Sequence, residues 1–293
     1  MNQQVFGGIL ALLSAASWAL GTILWRKIGN KISPLSMNLS KGIIGLIFLG
    51  AMLLLTGIEP VNFKTFSILA LSGLLGIAIG DTLFFMSLMR LGPRLTSLMG
   101  ALTPVLIALS AVFLLGERPS FLGWIGIFLT VIGVIRVLRE RVPQKEIITD
   151  KSLGIKYGLL SILAMTAGVI FAKIGVEKSP ALEATFIRVL GAVTGLALWG
   201  RKGRKLKEWL LPFKDFHLLK RVSFVVIIGT FGGFWLFLLA LKRIDASVAG
   251  ALGSTTPLFI LPMTAIMLRE KISLRAGMGA AIAVCGVALI FFG

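Results

Sequence analysis

Asp81 is the only carboxylate well inside an apolar run of this 293-residue chain. An ionisable group at that depth is costly unless paired or wetted, so Asp81 is a candidate for proton coupling or for holding a solute amine, with a structural ion pair as the alternative. Lys41 is its expected partner, about five residues or roughly 7–8 Å inside a run that enters from the same side. Its stem can cover the remaining difference in depth. Pairing would keep Asp81 ionised, and a proton or solute cation would compete with Lys41 for it. Arg188 holds the related place in a later run, eight residues after Pro180 as Lys41 is seven after Pro34. With no buried acid opposite, its expected contacts are a solute carboxylate, helix-end carbonyls or a lipid headgroup.

Backbone chemistry adds a second set of candidates. Pro104 and Pro257 each lack an N–H and push on the carbonyl four residues earlier, at Gly100 and Gly253. Such kinks would free carbonyls near Thr103, Ser254, Thr255 and Thr256, which is tolerated only against protein or a water-filled cavity. Gly100, Pro104, Gly253 and Pro257 are therefore candidate hinges, or else static kinks used for packing. Trp18, Phe85 and Trp235 are candidates for an aromatic cavity wall or for bundle packing. Glu117 and Glu270 each lie three residues before a serine, Ser120 and Ser273, and are expected to bond N–H groups where the following spans start.

These residues sit in ten apolar runs, at roughly 5–25, 36–57, 65–89, 94–115, 119–138, 153–172, 182–200, 219–241, 246–268 and 274–292. A hydrocarbon core of about 30 Å needs about 20 apolar residues per helix, so ten spans consume most of the chain. With 57% hydrophobic and 14% charged residues, a soluble enzyme is not the expected class. The run from Val5 reads as a first membrane helix rather than a cleaved signal, because no positive segment precedes it. Trp199 and Trp209 read as interfacial anchors, and Gly76-xxx-Gly80 and Gly191-xxx-Gly195 as sites of close helix approach.

The ten spans fall into two related halves. A shift of 153 lays Leu83-Phe84 on Leu236-Phe237, Arg90 on Arg243, Gly100 on Gly253, Thr103-Pro104 on Thr256-Pro257 and Glu117 on Glu270. Asp81 falls on Phe234, so the carboxylate breaks the symmetry. Near the start a shift of 146 pairs Lys27-Ile28-Gly29 with Lys173-Ile174-Gly175. An odd number of helices per unit inverts the second copy relative to the first. The predicted fold is an all-α membrane protein of ten transmembrane helices in two inverted five-helix repeats, 1–138 and 153–293, joined by a basic linker at 139–152.

Charge fixes orientation rather than partner. Of the 30 Lys and Arg, 22 lie in connections 1-2, 3-4, 5-6, 7-8 and 9-10, and six in the alternate ones. The positive-inside rule then places both termini outside the cytoplasm. No basic stripe with interleaved aromatics suggests nucleic acid, although the formal charge is +18. The sole histidine, His217, and the sole cysteine, Cys285, exclude a His-based triad, a multi-His metal site and a disulfide framework. Cys285 reads as a small core residue. No Walker loop occurs, and neither a cofactor nor a metal is expected.

The order and duplication of Gly80-Asp81-Thr82-Leu83-Phe84-Phe85, Arg90-Leu91-Gly92, Leu102-Thr103-Pro104 and Leu115-Gly116-Glu117-Arg118, echoed by Thr256-Pro257 and Arg269-Glu270-Lys271, resemble the ten-helix, EamA-type branch of the drug/metabolite transporter superfamily. The resemblance covers essentially the whole chain. It implies an inner-membrane carrier whose two units enclose a central cavity, commonly exporting amino acids, other metabolites or toxic compounds. Such carriers are often drawn with cytoplasmic termini, the reverse of what the charge count gives here. The expected activity is secondary transport of a small organic solute, with a channel or a lipid-handling protein as alternatives.

Overall fold

A computed structural model of the chain describes residues 3–28, 32–100, 102–138, 150–253, 255–256, 258–259, 262–263 and 274–292. Ser254, Pro257, Glu270 and positions 139–149 of the basic linker lie outside the described residues.

The described chain is helical, without strands. Span 1 is Gln3–Ile28 and span 2 is Pro34–Thr56, whose start is set by Pro34 and by the Ser33 hydroxyl accepting from the Ser36 N–H at 3.2 Å. Span 3 covers Phe63–Leu91, capped by Asn62 accepting from the Thr65 N–H at 2.9 Å. Helical geometry persists to Gly100, yet Ser87 Oγ and Thr96 Oγ1 are 3.4 Å apart. Nine residues of straight helix would separate them by about 13 Å. The chain therefore doubles back between them, and span 4 runs from this reversal through Thr103–Leu115, ending at Gly116 with φ 71°. Spans 5 and 6 are Phe121–Leu138 and Lys151–Val176; spans 7 and 8 are Ala181–Lys202 and Phe216–Leu241. Span 9 begins with Ala246–Gly253, and span 10 is Leu274–Phe292. Six of these helices are long and apolar enough to cross a membrane by themselves.

Spans 3 and 8 each contain a π-helical stretch, Leu74–Asp81 and Ile228–Trp235, at nearly the same place in the two repeats. A π turn is wider than an α turn and recurs at functional sites. Each is gripped by the first helix of the other repeat. The Ser161 hydroxyl of span 6 donates to Gly80 O at 2.8 Å, and that of Ser14 in span 1 donates to Gly233 O at 2.9 Å. Serines 147 positions apart thus bond carbonyls 153 positions apart, the same contact made twice about a pseudo-two-fold axis. Arg90 and Arg243 repeat the relation, donating to Met86 O and Leu239 O. The two five-helix units are therefore interleaved as an inverted repeat.

Small residues allow this interleaving. An ideal Cβ on Gly168 would lie 2.5 Å from the Cα of Gly76, one on Gly191 2.4 Å from Ala70 O, and one on Gly133 2.4 Å from Ala283 N. Spans 5 and 10 meet through Gly133, Gly279, Ala283 and Gly286. Cys285 consequently faces away from that seam and is exposed on the outside of the bundle, which corrects its expected core position. Trp209 also differs from expectation. It is 4% exposed, with its ring beneath Gly200 and edge-on to Trp199, so it packs a connection rather than anchoring an interface.

The tightest approach is at Gly73, where an ideal Cβ would fall 1.7 Å from Arg188 O, whereas Gly21 has nothing within 4 Å. Gly73→Ala is expected to cost at least about 1–3 kcal/mol of stability through forced backbone displacement. Gly21→Ala should be neutral or slightly stabilising by helix propensity. Thermal melting of both variants in the same detergent tests the difference, and equal melting would contradict the packing of span 7 on span 3.

Candidate functional site

Span 2 and the π stretch of span 3 bring Lys41 and Asp81 together. Lys41 Nζ donates directly to Asp81 Oδ2, and the two side chains are 11% and 15% exposed. The ammonium also faces two aromatic rings, 5.9 Å from the Phe85 centroid and 5.1 Å from the Phe234 centroid. Phe234, on span 8, is the repeat counterpart of Asp81. The pair therefore stands where the two repeats meet. Trp18 of span 1 closes the group: its ring is 6.2 Å from that of Phe234 and 5.2 Å from that of Phe237. Its carbons lie 3.6 Å from where a Cβ on Gly253 would be, next to the break in span 9.

Asn38, one turn before Lys41, fixes the other side of the π stretch. Its amide Nδ2 donates to Ile77 O at 2.8 Å and to Thr82 Oγ1 at 3.0 Å. Its Oδ1 is buried and has no partner among the described residues, as is true of Ser40 Oγ and Thr166 Oγ1.

Arg188 is 4% exposed, which removes a lipid headgroup as its contact. Its Nε donates to Ser72 Oγ at 2.9 Å, and Ser72 in turn donates to Gly168 O at 2.6 Å. Arg188 Nη2 would lie 3.6 Å from a Cβ on Gly76, so the guanidinium lies against the π stretch.

Of the two proline candidates, only Pro104 lies among the described residues. A helix starts at Thr103-Pro104, with the Leu102 N–H bonding back to Met99 O at 3.0 Å. In the second copy, regular helix ends at Gly253. The hydroxyls of Thr255 and Thr256 donate to Leu252 O at 2.6 Å and to Gly253 O at 2.9 Å. Both hydroxyl protons are thereby engaged in satisfying the break. Gly100 has open space beside it, while Gly253 packs against Phe237 and Trp18. Trp235 stacks edge-on with Phe231 of its own span, 6.0 Å away.

Glu117 caps a helix, but not the expected one. Its carboxylate accepts from the N–H groups of Ala246 at 2.7 Å and Ser247 at 3.1 Å and from the Ser247 hydroxyl at 2.7 Å. It therefore caps span 9 across the repeat boundary, because the Ser120 hydroxyl already accepts from the Gly123 N–H at the start of span 5. At the same end, Lys173 Nζ donates to Leu241 O at 2.8 Å and Ile244 O at 3.0 Å. Partial burial first, then the neighbouring charge of Glu117, pushes the Asp245 carboxyl in this turn above the usual carboxylate range.

Phe234 and Asn38 were not among the residues singled out for the site. The first was marked by standing at Asp81's place in the second repeat, the second by being an amide one turn from a buried lysine.

The EamA-like transporter family matches residues 5–139 and again residues 152–292. An uncharacterized transporter of Archaeoglobus fulgidus is 22% identical over 284 residues, 96% of each chain. Protein LicB of Haemophilus influenzae is 28% identical over 201 residues, 66% of each. The uncharacterized transporter YetK of Bacillus subtilis is 30% identical over 150 residues, 49% of this chain and 43% of that one. A protein crystal structure matches the fold with a TM-score of 0.74 at 18% identity, over 98% of this chain and 95% of that one.

Glu117→Ala removes three bonds at the start of span 9 and is expected to lower stability by about 1–2 kcal/mol. Glu117→Gln, which keeps one acceptor, should lose less. Melting curves in detergent check the order, and a harmless Glu117→Ala would mean that the cap carries no stability.

Proposed function

The chain belongs to the EamA-like transporter family, and from that premise we propose that it exports a small organic solute across the cell's inner membrane by alternating access, coupled to protons through Asp81. The observation that carries this reading is the position of the Lys41–Asp81 pair. Asp81 and its repeat counterpart Phe234 both address Lys41, so the pair lies on the pseudo-two-fold, where inverted-repeat carriers hold their cargo.

The chemistry follows from one carboxylate. While ionised, Asp81 holds Lys41 and keeps spans 2 and 3 together. A proton on the carboxyl removes the charge that Lys41 answers, and the ammonium is released from the junction. The units would then rock about the π stretches of spans 3 and 8, exposing the junction to each side in turn. Trp18, Phe85 and Phe234 form its aromatic wall, with Gly253, just before Thr255-Thr256, packed against Trp18. Trp235 takes a packing role.

Comparative metabolite profiling of cells and medium tests this, with wild-type protein against Asp81→Asn at equal membrane abundance. A solute shifted at least tenfold more by wild type is the expected result. An equal shift with both proteins would remove Asp81 from the mechanism, and no shift would favour lipid handling over solute transport.

We further propose from the 22-to-six distribution of Lys and Arg that both termini are extracytoplasmic. A reporter that is active only in the cytoplasm should stay silent when fused to the C-terminus. Activity there would reverse the orientation.

A further inference from the structure

Resting on the reading that this junction is the solute site, we infer that its cargo is an organic ammonium ion and that Lys41 is a tethered competitor for the same cage. The surroundings of Lys41 Nζ are those a cationic ligand requires. One carboxylate, Asp81, accepts from it, and two aromatic rings, Phe85 and Phe234, lie within 6 Å of it. Ring faces carry negative quadrupole, and a cation within about 6 Å of the centroid is attracted to them. A simple structural ion pair needs the carboxylate alone. Here the cation comes from span 2, the carboxylate from span 3 and the second ring from span 8, so the cage is assembled across the repeat boundary. Trp18, edge-on to Phe234, backs that ring from span 1.

Lys41 can leave this cage. Its residue lies seven positions from the start of span 2 at Pro34, about 10 Å along the helix. Its four-carbon stem lets the ammonium swing towards the helix end, as lysines near membrane surfaces do. Asn38 lies one turn back on the same face, and its Oδ1 is buried without a partner among the described residues. Arg188, the repeat counterpart of Lys41, is instead held by Ser72 against the π stretch and does not occupy the cage.

A cargo cation then exchanges for a built-in one of equal charge, so the desolvated carboxylate is never left bare during exchange. Affinity for cargo is lowered by the competition, which suits a carrier that must also release it.

The test is a titration of tetramethylammonium and phenethylammonium into the full chain in lipid nanodiscs, with phenylacetate as the anionic control. Lys41→Met should bind at least one of the two cations at least tenfold more tightly than wild type, because the competitor is gone and Asp81 remains. Asp81→Asn should lose the binding. Phe234→Leu should weaken it severalfold without changing any response to phenylacetate. Lys41→Gln repeats the measurement should Lys41→Met melt early. Equal or weaker cation binding in a folded Lys41 variant overturns the inference, as does preferential binding of phenylacetate. The two readings fail separately. An anionic solute exported by wild type and lost in Asp81→Asn would keep the carrier and refute the ammonium cargo. Tight cation binding by Lys41→Met in a protein that shifts no solute would keep the cage and remove the carrier.

Discussion

In hydrocarbon a backbone carbonyl has no water to turn to, so every departure from α geometry must be answered by another part of the protein. That constraint explains why the two halves of this chain are interleaved. The π stretches of spans 3 and 8 present the carbonyls of Gly80 and Gly233 to their neighbours. Each receives its donor from the opposite repeat, Ser161 for one and Ser14 for the other. Gly76 and Gly168 let spans 3 and 6 come close enough for the bond to form. The same logic extends to Ile77 O, answered by Asn38, and to the carbonyls before the break in span 9, answered by Thr255 and Thr256. Polar side chains scattered through apolar helices are thus the means by which the backbone is allowed to be irregular.

Symmetry builds the scaffold, and its violation builds the site. Lys41 and Arg188 are counterparts, as are Asp81 and Phe234, so duplication keeps a cation in each half and a carboxylate in only one. With a phenyl ring at Phe234, Lys41 gains an aromatic face beside its carboxylate partner. Arg188 is stabilised by other means, through Ser72.

The sequence made the architecture legible because its strongest signals are of the right kind. Ten apolar runs and a gap-free repeat of Thr-Pro and Glu positions define the spans and their inversion. Lys41 and Asp81 were legible as partners because each is the rare charge in its own run. Other features were hidden for a definite reason, namely that they depend on which helix stands opposite. Glu117 precedes span 5 in the chain, yet it caps span 9, because Ser120 had already taken the local donor. Trp209 is flanked by charge and still buried, and Cys285 is in an apolar run and still exposed, since seams are chosen by glycine rather than by hydrophobicity alone. The π stretches left no mark that a pattern of period 3.6 would detect. The reversal after Leu91 was marked by Gly92-Pro93, but without any polar loop to separate the spans.

Position on a single turn ties these elements together. Gly80, the carbonyl held by the opposite repeat, and Asp81, the carboxylate held by Lys41, are adjacent residues on one π stretch. A change at one is transmitted to the other by the covalent backbone, over one peptide unit and without an extended network of side chains. Releasing Lys41 from Asp81 removes the restraint on one side of the stretch, leaving the Ser161 bond on the other. Because π geometry spans five residues per bond rather than four, conversion towards α geometry rotates everything beyond it, including Phe85. Under the proposed mechanism, occupation of the cage and the angle between the repeats would both act through the same eight residues of backbone, and an exchange of charge at Asp81 would become a movement of one half against the other for that reason.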